Sequence, residues 1–525
     1  MDEFTFGGVP PIPYFAWLIS REPSFLQSNV PTLSNECDPT KVRSNTRRKY
    51  QLYNKVLVNR SQTMAATTTD EQIAEFTEAL RGELLRPDEE GYDEARTVWN
   101  ATVDKHPSLI AQCAGTADVI SAVEFAKEHD YPISVKGGGH NIAGRAVEDD
   151  ALMIDLSPMK GIRVDPQAKT ARVEPGVVLN ELDHETQAFG LATPVGYNST
   201  TGVAGLTLGG GWGWLSRKHG LTVDNLISAD VVTATGELVH ASETENEELF
   251  WGLRGGGGNF GIVTSFEFEL HEVGPTVLSG PIVHPFEDAH EVLEGYREFT
   301  GDAPNDAVAW FVIRHAPPLP FIPEEWHGRK VLILATFYAG EMDAGEGALQ
   351  PLRDIGDPIV DAVGPHPYAG WQQAFDGLAA EGNRNYWKSH NFVEMTDGMI
   401  ENFISYGEKI PTEATEIACA QLGGAINDRP VDATAYPHRN AEFTMVLHTQ
   451  WDDPENDEEC IAWAREVHEA MTPHATGGVY ANFVPEEVGD KEAAYRENYD
   501  RLVKVKNEWD PENLFRLNHN IEPTK

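Results

Sequence analysis

A chain of 525 residues with 41% hydrophobic and 23% charged side chains can bury more than one core and is too apolar to be an acidic disordered chain. Its 83 carboxylates against 40 basic side chains leave a formal charge of −43, which argues against nucleic acid and anionic membrane surfaces as partners. Such self-repulsion is tolerated where salt is abundant, since at about 1 M the screening length is only roughly 3 Å; the balance points to a salt-rich cytoplasm.

The charge is unevenly spread: residues 1–63 carry eight basic and five acidic side chains, while the remainder holds a balance of −46. Residues 1–64 therefore read as an atypical extension, either a flexible arm or a stretch upstream of a true start at Met64. "TRRKYQLYNKVLV" has the paired arginines of an export signal, but Asn54 and Lys55 interrupt the apolar region such a signal needs. The cysteines Cys37, Cys113, Cys419 and Cys460 lie far apart with no CxxC spacing, so neither a disulfide framework nor a metal site is suggested. No apolar run approaches the roughly 18 residues of a membrane span.

In chain order, the spacing of Val119, Ala122, Val123 and Ala126 predicts a helix from Thr116, followed by a short strand into "ISVKGGGHNIAGRA" (Ile133–Ala146). Asp165 and Pro166 open a hairpin turn between "GIRV" and "TARV", and "VVLNELDHETQAFG" returns to helix and stops at Gly190. "GVAGLTLGGGWGWLSRKHG" and "LRGGGGNFGIVTSFEFEL" are two further glycine clusters. Beyond His271 the texture changes to strand-like runs such as "AVAWFVIR" and "KVLILATFY", and a domain boundary is expected near Pro275. A helical period through Tyr499, Leu502 and Val503 ends at Asp510 and Pro511, and this tail is expected to pack back on an earlier domain. The layout is α+β, without regular βαβ alternation.

Gly256, Gly258 and Gly261 fit the dinucleotide pattern G-x-G-x-x-G. That pattern needs a strand before the glycines and a helix after them, so that the pyrophosphate meets the helix terminus. Here "ENEELFWGLR" is helical in pattern and "IVTSFEFEL" alternates like a strand, which argues against a nicotinamide-binding Rossmann domain. Any single cluster reads equally as a tight turn; together they favour bare main chain wrapped around an extended ligand whose phosphates are held by N–H groups. A dinucleotide is the natural candidate.

"KGGGHNIAG", "GLTLGGGWGWLSRKHGLTVDN", "LFWGLRGGGGNFGIVTSFEFEL", "GGVYANF" and "DPENLFRLNHNI" together resemble the berberine-bridge-enzyme-like branch of the FAD-linked oxidases, in the vanillyl-alcohol-oxidase superfamily. The resemblance covers nearly everything after residue 65. It implies a PCMH-type, two-subdomain FAD-binding domain over 65–275, an inserted α+β substrate domain with an antiparallel sheet and helices over 276–475, and a segment over 476–525 returning to the FAD domain. It places a covalent 8α-histidyl bond to the flavin on His140. A neutral imidazole nitrogen is a competent nucleophile near pH 7, and the alternative is a histidine that only hydrogen-bonds. Doubly attached relatives have a cysteine where this chain has Asn198, so no cysteinyl link is expected. Trp212 stands where many plant relatives have a tyrosine base.

The resemblance assigns the flavin wall to Lys136, Gly137, Gly138, Gly139, His140, Asn141 and Gly144 from the first loop, and to Gly196, Asn198, Thr200, Thr201, Gly202 and Gly205 from the middle stretch. Gly209, Gly210, Gly211, Gly213 and Asn225 follow from the second cluster and its continuation, Ile262 and Val263 from the third, and Tyr480, Asn482, Asn518 and Asn520 from the tail. Tyr480 is the first candidate for the base that takes the substrate proton, with Lys388 as the cation lowering its pKa from near 10; a buried tyrosine with a satisfied hydroxyl is the alternative. Gln421 and His448 are pocket candidates, and His438 reads as closing a turn.

The expected activity is an FAD-dependent oxidase or dehydrogenase moving a hydride from a hydroxylated small molecule, a sugar or secondary alcohol, to flavin N5, with oxygen or another acceptor taking the electrons. Thr201 falls near the family's oxygen-gate position. An NADPH-dependent reductase related to enolpyruvyl-sugar reductase, and a flavin-binding protein without turnover, stand as alternatives.

Overall fold

The computed structural model describes residues 68–485 and 491–524. The expected N-terminal extension lies outside the described residues, as do Met64 and the paired arginines.

The first sheet contains β1 (Glu83–Leu85), β2 (Leu109–Gln112), β3 (Ile133–Lys136) and β4 (Leu152–Asp155) in the order β1-β2-β4-β3. β2 and β3 run parallel to β4, and β1 runs antiparallel to β2. The helix Thr116–Glu128 covers it, burying Val119, Ala122, Val123 and Ala126, the face its periodicity predicts. The second sheet is built from β5 (Ile162–Asp165), β6 (Thr170–Val173), β8 (Leu226–Val232), β9 (Leu238–Ser242) and β10 (Ile262–Glu269), all antiparallel, in the order β5-β6-β10-β8-β9; β7 (Leu191–Ala192) pairs separately with β11 (His271–Glu272). The Asp165 hairpin forms between β5 and β6. The third glycine cluster leads from the helix Glu247–Leu253 into β10, the reverse of the dinucleotide-fingerprint order.

Thr276 opens an eight-stranded antiparallel sheet: β12 (Thr276–Pro285), β13 (Ala307–His315), β14 (Lys330–Tyr338), β15 (Val360–Asp361), β16 (Gly364–Pro367), β17 (Arg384–Phe392), β18 (Glu416–Gln421) and β19 (Phe443–Trp451). Its order is β15-β12-β14-β13-β18-β19-β17, with β16 also paired to β12. Both faces are covered. Ala309, Phe311, Ile313, Leu332, Leu334, Ile417, Cys419, Met445 and Leu447 pack with the helices Ala289–Asp302, Asp397–Gly407 and Asp457–Met471. Their strand neighbours Trp310, Val312, Ala335, Ala418, Ala420, Val446 and His448 point the other way, into a cavity. The final helix, Tyr499–Trp509, docks Leu502 and Val505 into the core of the second sheet. Among the described residues no helix is long and apolar enough to cross a membrane.

Most ion pairs join at least one exposed side chain, as in Arg96–Asp104 and Arg501–Glu248, and each such pair contributes only about 0–1 kcal/mol. They cannot offset the repulsion of a −43 chain at low ionic strength. The thermal midpoint, followed by circular dichroism, should therefore fall steadily as KCl is diluted from molar to tens of millimolar; a midpoint indifferent to salt would contradict this.

On the helix side of β17, His390 and His468 stack with ring centroids 3.8 Å apart, and burial pulls their pKa values down to about 4 and about 3. An unfolded histidine takes its proton near pH 6.5. Between that pH and about 4 the unfolded chain binds more protons than the folded one, so stability is full above about pH 7 and is withdrawn as pH falls. Melting curves at pH 8, 6 and 5 should show the loss confined to the two lower values.

Candidate active site

The cavity has two contrasting walls and encloses about 2160 Å³ of atom-free space out to its solvent-facing mouth. One wall is main chain: Gly137 to Asn141, then Gly196, Gly202, Gly205 and Gly209, then Gly257, Gly258 and Gly261. Glycine is required here for two reasons. Gly139 has φ +71°, and a Cβ on Gly138 would stand 2.4 Å from the Gly202 nitrogen, so the first two clusters touch backbone to backbone. Among the described residues, the N–H groups of Gly138, Gly139, His140 and Asn141 have no protein acceptor; four successive free donors form an anion-binding concavity.

The opposite wall is the inward face of the large sheet. Trp310, Trp387, Phe375, Phe483 and Trp212 form its aromatic part, and Ala335, Ala418 and Ala420 its floor. Set into it is a polar chain. The Tyr197 hydroxyl lies 3.0 Å from His448 Nε2, His448 Nδ1 lies 2.8 Å from Glu416 Oε1, and Glu416 Oε2 accepts from Arg314 at 2.6 Å. Burial pushes the Glu416 carboxyl up, yet the Arg314 charge and the His448 hydrogen bond outweigh it and hold it below the ordinary carboxylate range. An ionised Glu416 fixes the His448 proton on Nδ1 and leaves Nε2 as an acceptor toward Tyr197. Burial raises the Tyr197 phenol, and the nearby Glu416 charge raises it further, so Tyr197 stays protonated.

The expected site residues divide clearly. Gly137, Gly138, Gly139, His140, Asn141, Gly196, Asn198, Thr201, Gly202, Gly205, Gly209, Ile262, Val263, Tyr480, Asn482, Asn518 and His448 line the cavity. Thr200 stands just behind, bonded to His140. Lys136 points to the other side of its strand and donates to Ala95 O. Gly144 makes room for Val103, Gly210 for Tyr436 and Gly213 for Val195 O, while Gly211 donates its N–H to the Tyr480 hydroxyl. Asn225 is absorbed structurally: its amide donates to His219 O and Leu221 O and pairs with His271. Asn520 lies off the cavity, and so does His438, buried against Gly478.

Two expected catalytic residues are corrected by strand parity. Lys388 follows Trp387 and faces the helix side, with its ammonium over the Tyr386 ring; it does not meet Tyr480. Gln421 follows Ala420 and turns away too, accepting from Ala309 N at 3.2 Å. Tyr480 does line the cavity, but burial pushes its phenol up to about 12, against the pull of the Gly211 N–H and the Asn482 amide that donate to it. It is a hydrogen-bond donor toward the cavity, not a ready base. Glu416, Tyr197 and Arg314 escaped the sequence reading. The signal was alternation in "EIACAQ", with Glu416 on the same face as Ala418 and Ala420 and directly across the ladder from His448.

Two family models match the chain: FAD binding domain over residues 107–242, and berberine and berberine like over 479–522. An FAD-linked oxidoreductase of Dictyostelium discoideum is 32% identical over 457 residues, spanning 86% of this chain and 97% of the relative. The chain belongs to the berberine-bridge-enzyme-like FAD-linked oxidoreductases. (R)-6-hydroxynicotine oxidase of Paenarthrobacter nicotinovorans is 31% identical over 459 residues, covering 85% of this chain and 97% of that enzyme. Among solved structures, glucooligosaccharide oxidase of Acremonium strictum, which carries 6-S-cysteinyl, 8α-N1-histidyl FAD, superposes with a TM-score of 0.77 at 26% identity, covering 86% of this chain and 99% of that one.

The residues present suit the FAD of this berberine-bridge-like family. The free N–H groups of the first loop match a pyrophosphate, and the glycine wall leaves room for a flat ring system beside His140. Burial lowers the His140 pKa to about 4, so its imidazole is neutral at pH 7. The amide of Asn198 cannot form a thioether.

Proposed function

We propose that this chain oxidises a hydroxyl-bearing small molecule, a sugar or secondary alcohol with a flat face, and that His448 receives the hydroxyl proton. The Tyr197–His448–Glu416–Arg314 chain carries this reading, because it sets one proton acceptor into an otherwise apolar wall opposite the glycine-lined one. FAD, when bound, supplies the hydride acceptor, and oxygen or another oxidant then takes its electrons.

Tyr197 holds the substrate hydroxyl at the mouth of the relay and passes its own proton to His448 Nε2 as it takes the substrate's. Glu416 then bears the charge of the imidazolium, and Arg314 keeps Glu416 ionised. Trp310, Trp387 and Phe483 exclude water and offer flat faces for stacking. His140 tethers the flavin through a single covalent bond.

The test is anaerobic mixing of the purified yellow protein with a panel of sugars, secondary alcohols and amines. Bleaching by one hydroxylated donor, slowed when its carbinol hydrogen is deuterium, is the expected result. Bleaching by NADPH alone would replace this reading with a reductase, and failure of every donor would leave a flavin-binding protein without turnover. Yellow colour should stay with acid-precipitated wild-type protein and leave His140→Ala.

A further inference from the structure

His140 sits at the end of a hydrogen-bonded chain that has no part in the substrate relay. Its Nε2 lies 2.8 Å from Thr200 Oγ1, and Thr200 Oγ1 lies 2.7 Å from Asn198 Oδ1. The direction of each bond follows from the far end. Asn198 Oδ1 also accepts the Thr200 N–H at 3.1 Å, and its Nδ2 donates to Ala379 O at 3.4 Å, so the amide has one orientation. A carbonyl oxygen only accepts, so the Thr200 hydroxyl must donate its one proton to Asn198. Thr200 can then only accept from His140, and His140 must carry its proton on Nε2. Trp99 fixes the plane of the ring by stacking at 5.0 Å, and is itself anchored by a bond from Nε1 to the same Ala379 carbonyl. No protein group meets Nδ1 among the described residues, and the histidine lines the flavin cavity.

We propose that Thr200 and Asn198 are positioning residues that hold the His140 proton on Nε2, so that Nδ1 is the nitrogen that attaches the flavin. The inference rests on the reading that His140 is the tether, and adds which atom makes the bond and what selects it. Asn198, at the position where doubly attached relatives have their second tether, contributes here by orienting the first. The step balances as follows: Nδ1 forms one bond to the ring-methyl carbon, which loses a proton; a second proton leaves Nε2, already bonded to Thr200. The two electrons left on the ring system are taken by dioxygen, which with two protons becomes hydrogen peroxide.

The full-length protein is produced with flavin in excess, and total bound flavin is measured before acid precipitation and covalent flavin after it. The flavin peptide is then digested out, and the substituted nitrogen is assigned by proton–nitrogen correlation NMR. Wild type should give only the Nδ1 isomer. Thr200→Val and Asn198→Leu should fill with flavin yet attach it at least about tenfold more slowly, the order of effect seen when a partner that orients a histidine is removed, or yield both isomers; Thr200→Ser should restore the wild-type pattern. An Nε2 bond in wild type, or both variants attaching the same single isomer at the wild-type rate, would overturn the proposal. Wild-type protein that binds flavin but releases all of it in acid would instead overturn the tether. The wild-type isomer decides even if a variant does not fold.

Discussion

Replacing His448 with phenylalanine should lower the rate of flavin reduction by about 10²–10⁴-fold, the usual contribution of a positioned general base. The substitution keeps a ring against Trp387, whose centroid is 4.4 Å away, and removes both nitrogens of the relay. Tyr197 then retains a protonated hydroxyl with nowhere to pass its proton, and Glu416 retains a charge paired only with Arg314. Glu416→Gln should have a smaller effect of the same sign, because a neutral amide still accepts from Nδ1 but no longer stabilises an imidazolium. Stopped-flow reduction at saturating donor measures both, and the flavin spectrum reports whether the cofactor site is intact. A His448→Phe rate within a few-fold of wild type would remove His448 from the chemistry.

Asp224→Ala should destabilise the folded chain by about 3–5 kcal/mol, the cost of stranding a buried charge. The Asp224 carboxylate receives Arg439 through two bonds of 2.7 and 2.8 Å, and the two side chains are 0% and 1% exposed. Arg439 also reaches Thr434 and Ile426 O, and Asp224 accepts the Leu221 N–H. The pair thus clamps the turn after the second glycine cluster to the segment leading into β19. Removing the carboxylate leaves a guanidinium in a dry site, whereas removing both partners leaves none. The double variant Asp224→Ala/Arg439→Leu should therefore recover part of the loss. Urea denaturation measures this through the midpoint, provided the slope is unchanged. A single-variant loss below about 1 kcal/mol would mean that water reaches the pair.

The flavin half of the site was legible in the sequence because its determinants are contiguous. Three glycine runs and a histidine beside one of them announce a bare backbone near a ligand, and the first-loop residues Gly137 to Asn141 do line the cavity. The substrate half was legible only in outline. Its polar groups come one at a time from strands brought together by the ladder; Glu416 and His448 are 32 positions apart and become neighbours only through the β18–β19 register. Lys388 and Gln421 were misread for the complementary reason. Each sits one position from a cavity-facing residue, and in a strand one position reverses the face. Motif position alone gave Tyr480 its place at the site, but not the burial that makes it a poor base.

The two-faced build of the large sheet separates what may vary from what must not. Ala335, Ala418 and Ala420 stand on the inward face with no partner helix behind their side chains, while the alternate positions hold the helices in place. Exchanging these alanines for larger residues would reshape the space offered to a donor without disturbing the scaffold, so selectivity can be retuned on three methyl groups while the yellow half of the molecule stays untouched.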